Sequence, residues 1–182
     1  MTELIRSRYG GKPLRRHGQA LLMALALTAM GVQTGYCFDS DLGAPPELIL
    51  GNSTVSVAQS GRKNTSAVQQ QGASNTARLS QAGSDNGISA TQQGNGNSAL
   101  LSQAGTDNLI NVSQYGKTNY ATATQSGYAN NAAVAQYNNL GDARIAQDGN
   151  LNSATVITLS AAAPPVKLNQ YGNGTYAKVI QY

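Results

Sequence analysis

The chain of 182 residues contains no Trp, one Phe, one Cys and one His. A lone Cys37 cannot staple a fold with an internal disulfide, and His17 and Cys37 alone cannot furnish a zinc centre or a Ser-His-Asp triad. Charged residues make up 11% and aromatic residues 5% of the chain. Composition of this kind is poor material for an ordinary apolar core and by itself would read as disordered. The longest apolar stretch, Ala20 to Val32, is thirteen residues and too short to span a bilayer. The acidic residues that remain beyond the N-terminal segment are scattered, so no catalytic cluster, no metal site and no cofactor are expected, and the chain does not read as an enzyme.

Residues 1–35 have the layout of a signal peptide. Arg6, Arg8, Lys12, Arg15 and Arg16 form a basic start, the Ala20–Val32 run follows, and small residues offer cleavage sites between 31 and 37. Whether Cys37 is retained depends on that site. Five of the twelve basic residues fall in this segment, and from Asp39 onward seven basic residues balance seven acidic ones. The overall charge of +4 therefore predicts no nucleic-acid partner, because such partners need clustered excess charge. Near-neutrality instead favours association of like chains. Residues 36–52 read as a linker or N-terminal segment, with Pro45-Pro46 and a short apolar run, Leu48-Ile49-Leu50, as a lead-in strand or loop.

What the chain has in abundance is regularity. Gln recurs every eleven residues at Gln59, Gln70, Gln81, Gln92, Gln103, Gln114, Gln125, Gln136 and Gln147, and again at Gln170 and Gln181. Two residues after most of these comes Gly, at Gly61, Gly72, Gly83, Gly94, Gly105, Gly116, Gly127, Gly149 and Gly172. Five residues after comes Asn, at Asn64, Asn75, Asn86, Asn97, Asn108, Asn119, Asn130 and Asn152. Between Asn and the next Gln, small or aliphatic residues alternate with others, as in Asn97, Ala99, Leu101, Gln103, which is the period of a strand with one buried face.

Eleven is odd, so an uninterrupted strand would flip its faces in every unit. A Gly able to take positive φ, followed by an Asn that tolerates a turn, resets the phase. The sequence thus predicts an all-β, two-sheet β-solenoid over residues 53–182, with strands of about six residues. Two units make a strand-turn-strand rung of about 22 residues, and twelve strands make about six rungs. Stacked rungs set Gln over Gln and Asn over Asn as a structural ladder at the cross-β spacing of about 4.8 Å. A helical reading of the eleven-residue period fails, because a Gly in each unit costs about 1 kcal/mol relative to Ala and the other residues are mediocre helix formers. A calcium-binding nonapeptide solenoid would need an Asp in every unit. After Gln147 the pattern falters: Thr158 replaces Gln, and an extra loop residue near Pro164-Pro165 lengthens the spacing to Gln170. The Pro pair is a candidate edge-blunting device or an indifferent insertion. Tyr115, Tyr137 and Tyr171 are expected to stack along the outside, and Arg62, Lys63 and Lys117 to solvate the turns.

The unit Gln-x-Gly-x-x-Asn-x-Ala-x-x-x-Gln, nearly complete at Gln92–Gln103 and Gln114–Gln125, resembles the curlin repeat of bacterial curli fibres. The resemblance covers Ser53 to Tyr182. It implies a secreted, extracellular subunit, exported through the periplasm by a dedicated outer-membrane pore with accessory proteins, and assembling with other curlin subunits into amyloid of biofilm matrix and surface adhesion. No nucleic acid or small-molecule substrate is implied. Most units carry Asn six residues before Gln, and Ser stands there only at Ser53, which is more similar to the minor, nucleating subunit than to the major one. The ending Val179-Ile180-Gln181-Tyr182 leans the other way, towards the major, fibre-forming subunit. A more distant alternative is a monomeric solenoid acting as an adhesin or surface-binding module, which would want polar caps on its ends.

Overall fold

A computed structural model describes residues 23–30, 33–38, 41–42, 51–161 and 163–182. Twelve strands form the repeat region: β4 (Asn52–Arg62), β5 (Thr65–Ala73), β6 (Thr76–Ser84), β7 (Gly87–Asn95), β8 (Ser98–Thr106), β9 (Leu109–Lys117), β10 (Tyr120–Tyr128), β11 (Asn131–Tyr137), β12 (Asp142–Asn150), β13 (Ser153–Thr158), β14 (Val166–Asn173) and β15 (Tyr176–Gln181). Even-numbered strands β4 to β14 line up in one parallel sheet and odd-numbered strands β5 to β15 in the other. Each strand pairs with the one two further on, at a displacement of 22 residues, as in Gln81 with Gln103 or Gln92 with Gln114. The displacement becomes 23 where Gln147 meets Gln170, so the additional residue is absorbed in the loop before β14. The result is a two-sheet β-solenoid of six rungs.

The alternation of the sequence becomes an alternation of burial. In β8, Ala99, Leu101 and Gln103 are buried while Ser98, Leu100 and Ser102 are not. Facing strands complete each layer: Leu79 and Ala77 meet Ile88 and Ala90, and Leu101 and Ala99 meet Ile110 and Val112. Large and small residues offset one another, which keeps two sheets about 10 Å apart filled without aromatic side chains.

Two details differ from the sequence expectation. Most of the repeat strands are nine residues long rather than about six, because pairing continues through the glycine and one residue past it. The turn then falls later, and the second positive φ belongs to the residue four after Gln, not to the Asn: Lys63 (55°), Asp85 (57°) and Asp107 (56°) occupy it. The Asn five after Gln is buried as a ladder residue instead.

Three further strands precede the repeats. β1 (Met23–Met30) pairs antiparallel with β4, β2 (Gln33–Phe38) pairs antiparallel with β5, and β3 (Asp41–Leu42) pairs with β2. The basic start with Arg6, Arg8, Lys12, Arg15 and Arg16, positions 31–32 of the cleavage window, and Leu48-Ile49-Leu50 lie outside the described residues. No helix among the described residues is long and apolar enough to cross a membrane.

Candidate assembly site: amide ladders and glycine columns

Each strand delivers its Gln to the corner where the chain turns into the other sheet. Along the even-numbered sheet, the Nε2 of Gln59 donates to Oε1 of Gln81 at 2.6 Å, followed by Gln81 to Gln103 (2.9 Å), Gln103 to Gln125 (2.9 Å), Gln125 to Gln147 (2.7 Å) and Gln147 to Gln170 (2.7 Å). Along the odd-numbered sheet, Gln70 donates to Gln92 (2.6 Å), Gln92 to Gln114 (2.8 Å) and Gln114 to Gln136 (2.9 Å). From Gln70 to Gln147 the second proton on these Nε2 atoms goes to a backbone carbonyl of the facing strand, as from Gln81 to Thr65 O at 3.0 Å, and at Gln59 it goes to Ser66 Oγ at 3.1 Å. Both amide hydrogens are thus used, which is what allows a primary amide to be fully buried at small cost. All donors point the same way, toward the C-terminal rungs. The ladder is polar, and it leaves Gln70 Oε1 buried with no donor among the described residues.

The Asn residues hold the turns. Asn86 Nδ2 donates to Ala82 O across its own turn (3.3 Å) and to Gly105 O in the next rung (2.9 Å), while its backbone N–H donates to Asn64 Oδ1 in the rung before (3.2 Å). The pattern repeats at Asn75, Asn97, Asn108, Asn119 and Asn130. Asn152 keeps two of these bonds and closes on the last rung through Thr175. One side chain therefore ties three rungs together.

The glycines are confined for two independent reasons. Their φ runs from +98° to +127°, and in the interior of the stack an added Cβ would collide with the carbonyl of the residue one rung on, as from Gly83 to Gly105. Columns of glycine let adjacent rungs nest at the turns. At Gly172 the φ remains +98° but nothing lies within 4 Å of that Cβ position among the described residues.

Three interruptions cluster at the corner leaving the odd-numbered sheet. Asn138 stands where the glycine column continues, Gly141 where the Asn ladder continues, and Thr158 where the Gln ladder continues. Asn138 Nδ2 donates to Ser160 O at 2.5 Å, but its Oδ1 is buried without a donor. Gly141 keeps the backbone half of the ladder, its N–H donating to Asn119 Oδ1 at 2.9 Å. Thr158 reaches Gln181 only weakly, at 3.4 Å. These substitutions are spread over twenty residues, and it is the 22-residue rung, which sets Thr158 beside Gln136, that brings them to one corner.

These repeats have a known relative. Residues 52–83 and 83–116 match the family model of the curlin-associated repeat. The matches cover the first three rungs, residues 52–116. The remaining rungs continue the curlin-type Gln and Asn spacing with the interruptions just described. No curated protein and no solved structure matches the chain.

On the outside, Tyr115 and Tyr137 stack with ring centroids 5.1 Å apart and planes 9° from parallel. Tyr171 lies exposed on β14, in the other sheet. Arg144 forms a two-pronged pair with Asp142 (3.0 and 2.9 Å) and lies 5.4 Å from the Tyr120 ring; the hydrogen bond to Asp142, then its charge, raises the Arg144 pKa. Lys63 approaches Asp85 at 3.9 Å across two turns, an exposed pair that adds little. Among the described residues no group of three or more His, Cys, Asp or Glu could hold a metal ion.

Proposed function

We propose that the chain is a secreted curlin subunit that builds or nucleates extracellular amyloid fibres, with the minor, nucleating role favoured over the major, fibre-forming one. The observation that carries the reading is the ladder itself. Apart from the interruptions at Asn138, Gly141 and Thr158, each rung presents the same backbone pattern, Gln and Asn positions and glycine gap to the next, so a rung of another copy can extend the stack as a rung of the same chain does. The architecture is structural rather than catalytic, which agrees with a non-enzymatic role.

The ends supply the growth points. β14 and β15 are sheet edges among the described residues, and the inward residues Leu168 and Val179 of that rung are only partly covered. At the other end, cleavage of a signal peptide between residues 31 and 37 would remove β1 and leave β4 as an open edge, with the Oε1 of Gln59 at the head of its ladder. The open backbone edge of a last rung stacked on that of a first rung gives head-to-tail growth that need not close on itself. Export through the periplasm by an outer-membrane pore, with accessory proteins, belongs to the same reading, as does a place in biofilm matrix and surface adhesion.

Support for the nucleating role is the likeness of the two strands in each rung. The position six before Gln is Asn in both sheets through most of the stack, and at Ser53 the hydroxyl takes over by accepting the Asn75 N–H at 3.2 Å. Purified chain at neutral pH should pass from coil to β-structure after a lag, bind an amyloid dye and seed fresh chain; a preparation that stays monomeric for days would sink the proposal. Deletion in the host separates the two roles. Release of soluble partner subunit is expected of the nucleator, whereas loss of all fibre mass would assign the major role.

A further inference from the structure

The outward faces of the two sheets are chemically different, and the difference is confined to one quarter of the surface. On either side of the inward Gln column, each strand projects one residue outward just before it and one just after. In the even-numbered sheet these residues are small or polar through β12, for example Ser80 and Ala82, Ser102 and Ala104, Thr124 and Ser126. In β5 and β7 they are Gln69, Gln71, Thr91 and Gln93. From β9 onward the same two columns change to Ser113, Ala135, Ile157, Ile180 before the Gln position and Tyr115, Tyr137, Leu159, Tyr182 after it.

Four of these are well exposed: Tyr137 at 54%, Leu159 at 44%, Ile180 at 39% and Tyr182 at 87%. Taking an aromatic side chain as 150–250 Å², the patch offers roughly 500 Å² of contiguous apolar surface. That is the size at which an exposed patch calls for a partner. The strands of β9, β11, β13 and β15 are in parallel register, so the patch is flat and ruled at the strand spacing.

We propose that this patch pairs with the same patch on a second copy, so that two solenoid stacks lie face to face along the odd-numbered sheet. The pattern is self-complementary under a two-fold axis parallel to the stack. Such an axis sets the column after Gln over the column before it: Tyr137 of one copy over Ala135 of the other, Tyr115 over Ser113, Leu159 over Ile157 and Tyr182 over Ile180. Tyr115 and Tyr137 fall opposite small residues, while Leu159 and Tyr182 meet isoleucines, which is how sheets interdigitate at about 10 Å. Lys117 and Lys178 lie outside both columns, and the axis sets Lys117 over Asn111, so no like charges are brought together. Two patches bury roughly 1,000 Å² in total, the threshold for a specific interface. In a fibre the contact repeats with every subunit, so a weak single pair becomes strong by multivalency. On the even-numbered sheet the exposed Leu100, Tyr128 and Tyr171 stand in three different columns and build no continuous face, so association stops at two stacks.

This rests on the fibre-forming reading for its repetition, and the test separates the two. Fibres grown from the full chain are measured for mass per unit length by scanning transmission electron microscopy. The wild type is expected at the value for two stacks, and Tyr137→Lys with Ile157→Lys at half of it, with dye binding and β-structure unchanged. Thr124→Lys with Ala146→Lys, the same charge change on the other sheet, is expected to keep two stacks. Single-stack wild-type fibres, or two-stack fibres from the Tyr137→Lys/Ile157→Lys variant, would overturn the pairing while leaving the fibre reading intact. If no variant forms fibres, the fibre reading has failed, and sedimentation of the soluble chain decides the pairing: a wild-type dimer dissociated by Tyr137→Lys supports it, and a monomer overturns it.

Discussion

The first three rungs and the last three are built on one plan and executed differently. In β4 to β9 both Gln ladders run unbroken, every turn has its glycine, and the positive-φ turn positions hold Lys63, Ser74, Asp85, Gly96, Asp107 and Thr118. In β10 to β15 the corner at Asn138, Gly141 and Thr158 breaks all three columns, the turn positions include Ala129, Leu140 and Leu151, and the fourth rung is filled only by Ala121, Ala123, Ala132 and Val134. The curlin-associated matches stop at residue 116, where the regular half stops. A regular stack is a good template for more of itself; an irregular one with apolar sides is a worse template and a better docking face. The C-terminal half therefore departs from pure repetition at a cost in stability.

The comparison breaks most visibly at glycine. Gly105→Ala places a Cβ against the backbone of Gly127 at a φ of +117°, whereas Gly172→Ala meets nothing within 4 Å at +98°. Strain and overpacking together predict a loss of about 3–5 kcal/mol for Gly105→Ala, against about 1–2 kcal/mol of backbone strain alone for Gly172→Ala. Denaturant midpoints of the two variants measure the difference, and equal midpoints would contradict the rung stacking. If copies stack head to tail, Gly172→Ala should also slow elongation out of proportion to its midpoint.

Next in size is the amide ladder. Gln103→Leu leaves Gln125 Oε1 without its donor and Gln81 with only its backbone partner, an expected loss of about 2–3 kcal/mol because a buried acceptor goes unpaired. In the other half the odd-numbered ladder is already open at Thr158. Thr158→Gln rejoins Gln136 to Gln181 and should gain about 1 kcal/mol, read as a raised midpoint; a loss would mean that the corner has repacked around threonine.

The interrupted corner is a smaller, coupled case. Gly141→Asn alone brings a Cβ within 2.7 Å of Asn138 Oδ1 and 2.9 Å of Gln136 Nε2, so it should destabilise. With Asn138→Gly the nearest obstruction and the unpaired Oδ1 disappear together, leaving the flexible end of Gln136 to shift, and the double variant should be about 1–2 kcal/mol more stable than the wild type. A double-mutant cycle that came out additive would show that the two positions do not share the corner.

Much of this was legible in the residues. The eleven-residue spacing of Gln, with alternation between, dictates strands, and its odd value dictates a turn in each unit and hence two sheets. The spacing carries the 22-residue rung and so Gln over Gln; what it does not carry is the detail of the contacts between residues twenty-two apart. Gly83 is compatible with turn geometry from sequence alone, but its second constraint, the carbonyl of Gly105, exists only once rungs stack. The Asn at position five after Gln looks like a turn residue and is a tie between rungs, since the turn itself falls one residue earlier. The direction of the Gln donors, and the gathering of Asn138, Gly141 and Thr158 at one corner, follow from three-dimensional register and leave no local mark.

The smallest effect concerns that earlier turn residue, and it sharpens the contrast between the halves. Asp107 and Leu151 occupy the same turn column two rungs apart, at φ of 56° and 57°. A left-handed conformation costs an L-residue with a bulky side chain about 1 kcal/mol, while Asp and Asn bear it at little cost because their short polar side chains bond locally. Leu151 is also exposed, so its side chain recovers little by burial. Leu151→Asn should then raise the denaturant midpoint by an amount worth about 0.5–1 kcal/mol, and Asp107→Asn should leave it unchanged within about 0.3 kcal/mol. Were Leu151→Asn neutral or harmful in the soluble chain, the turn strain would not be what separates the two halves. Were it stabilising in the soluble chain yet harmful in the fibre, Leu151 would be held in its strained turn by a contact that only assembly provides.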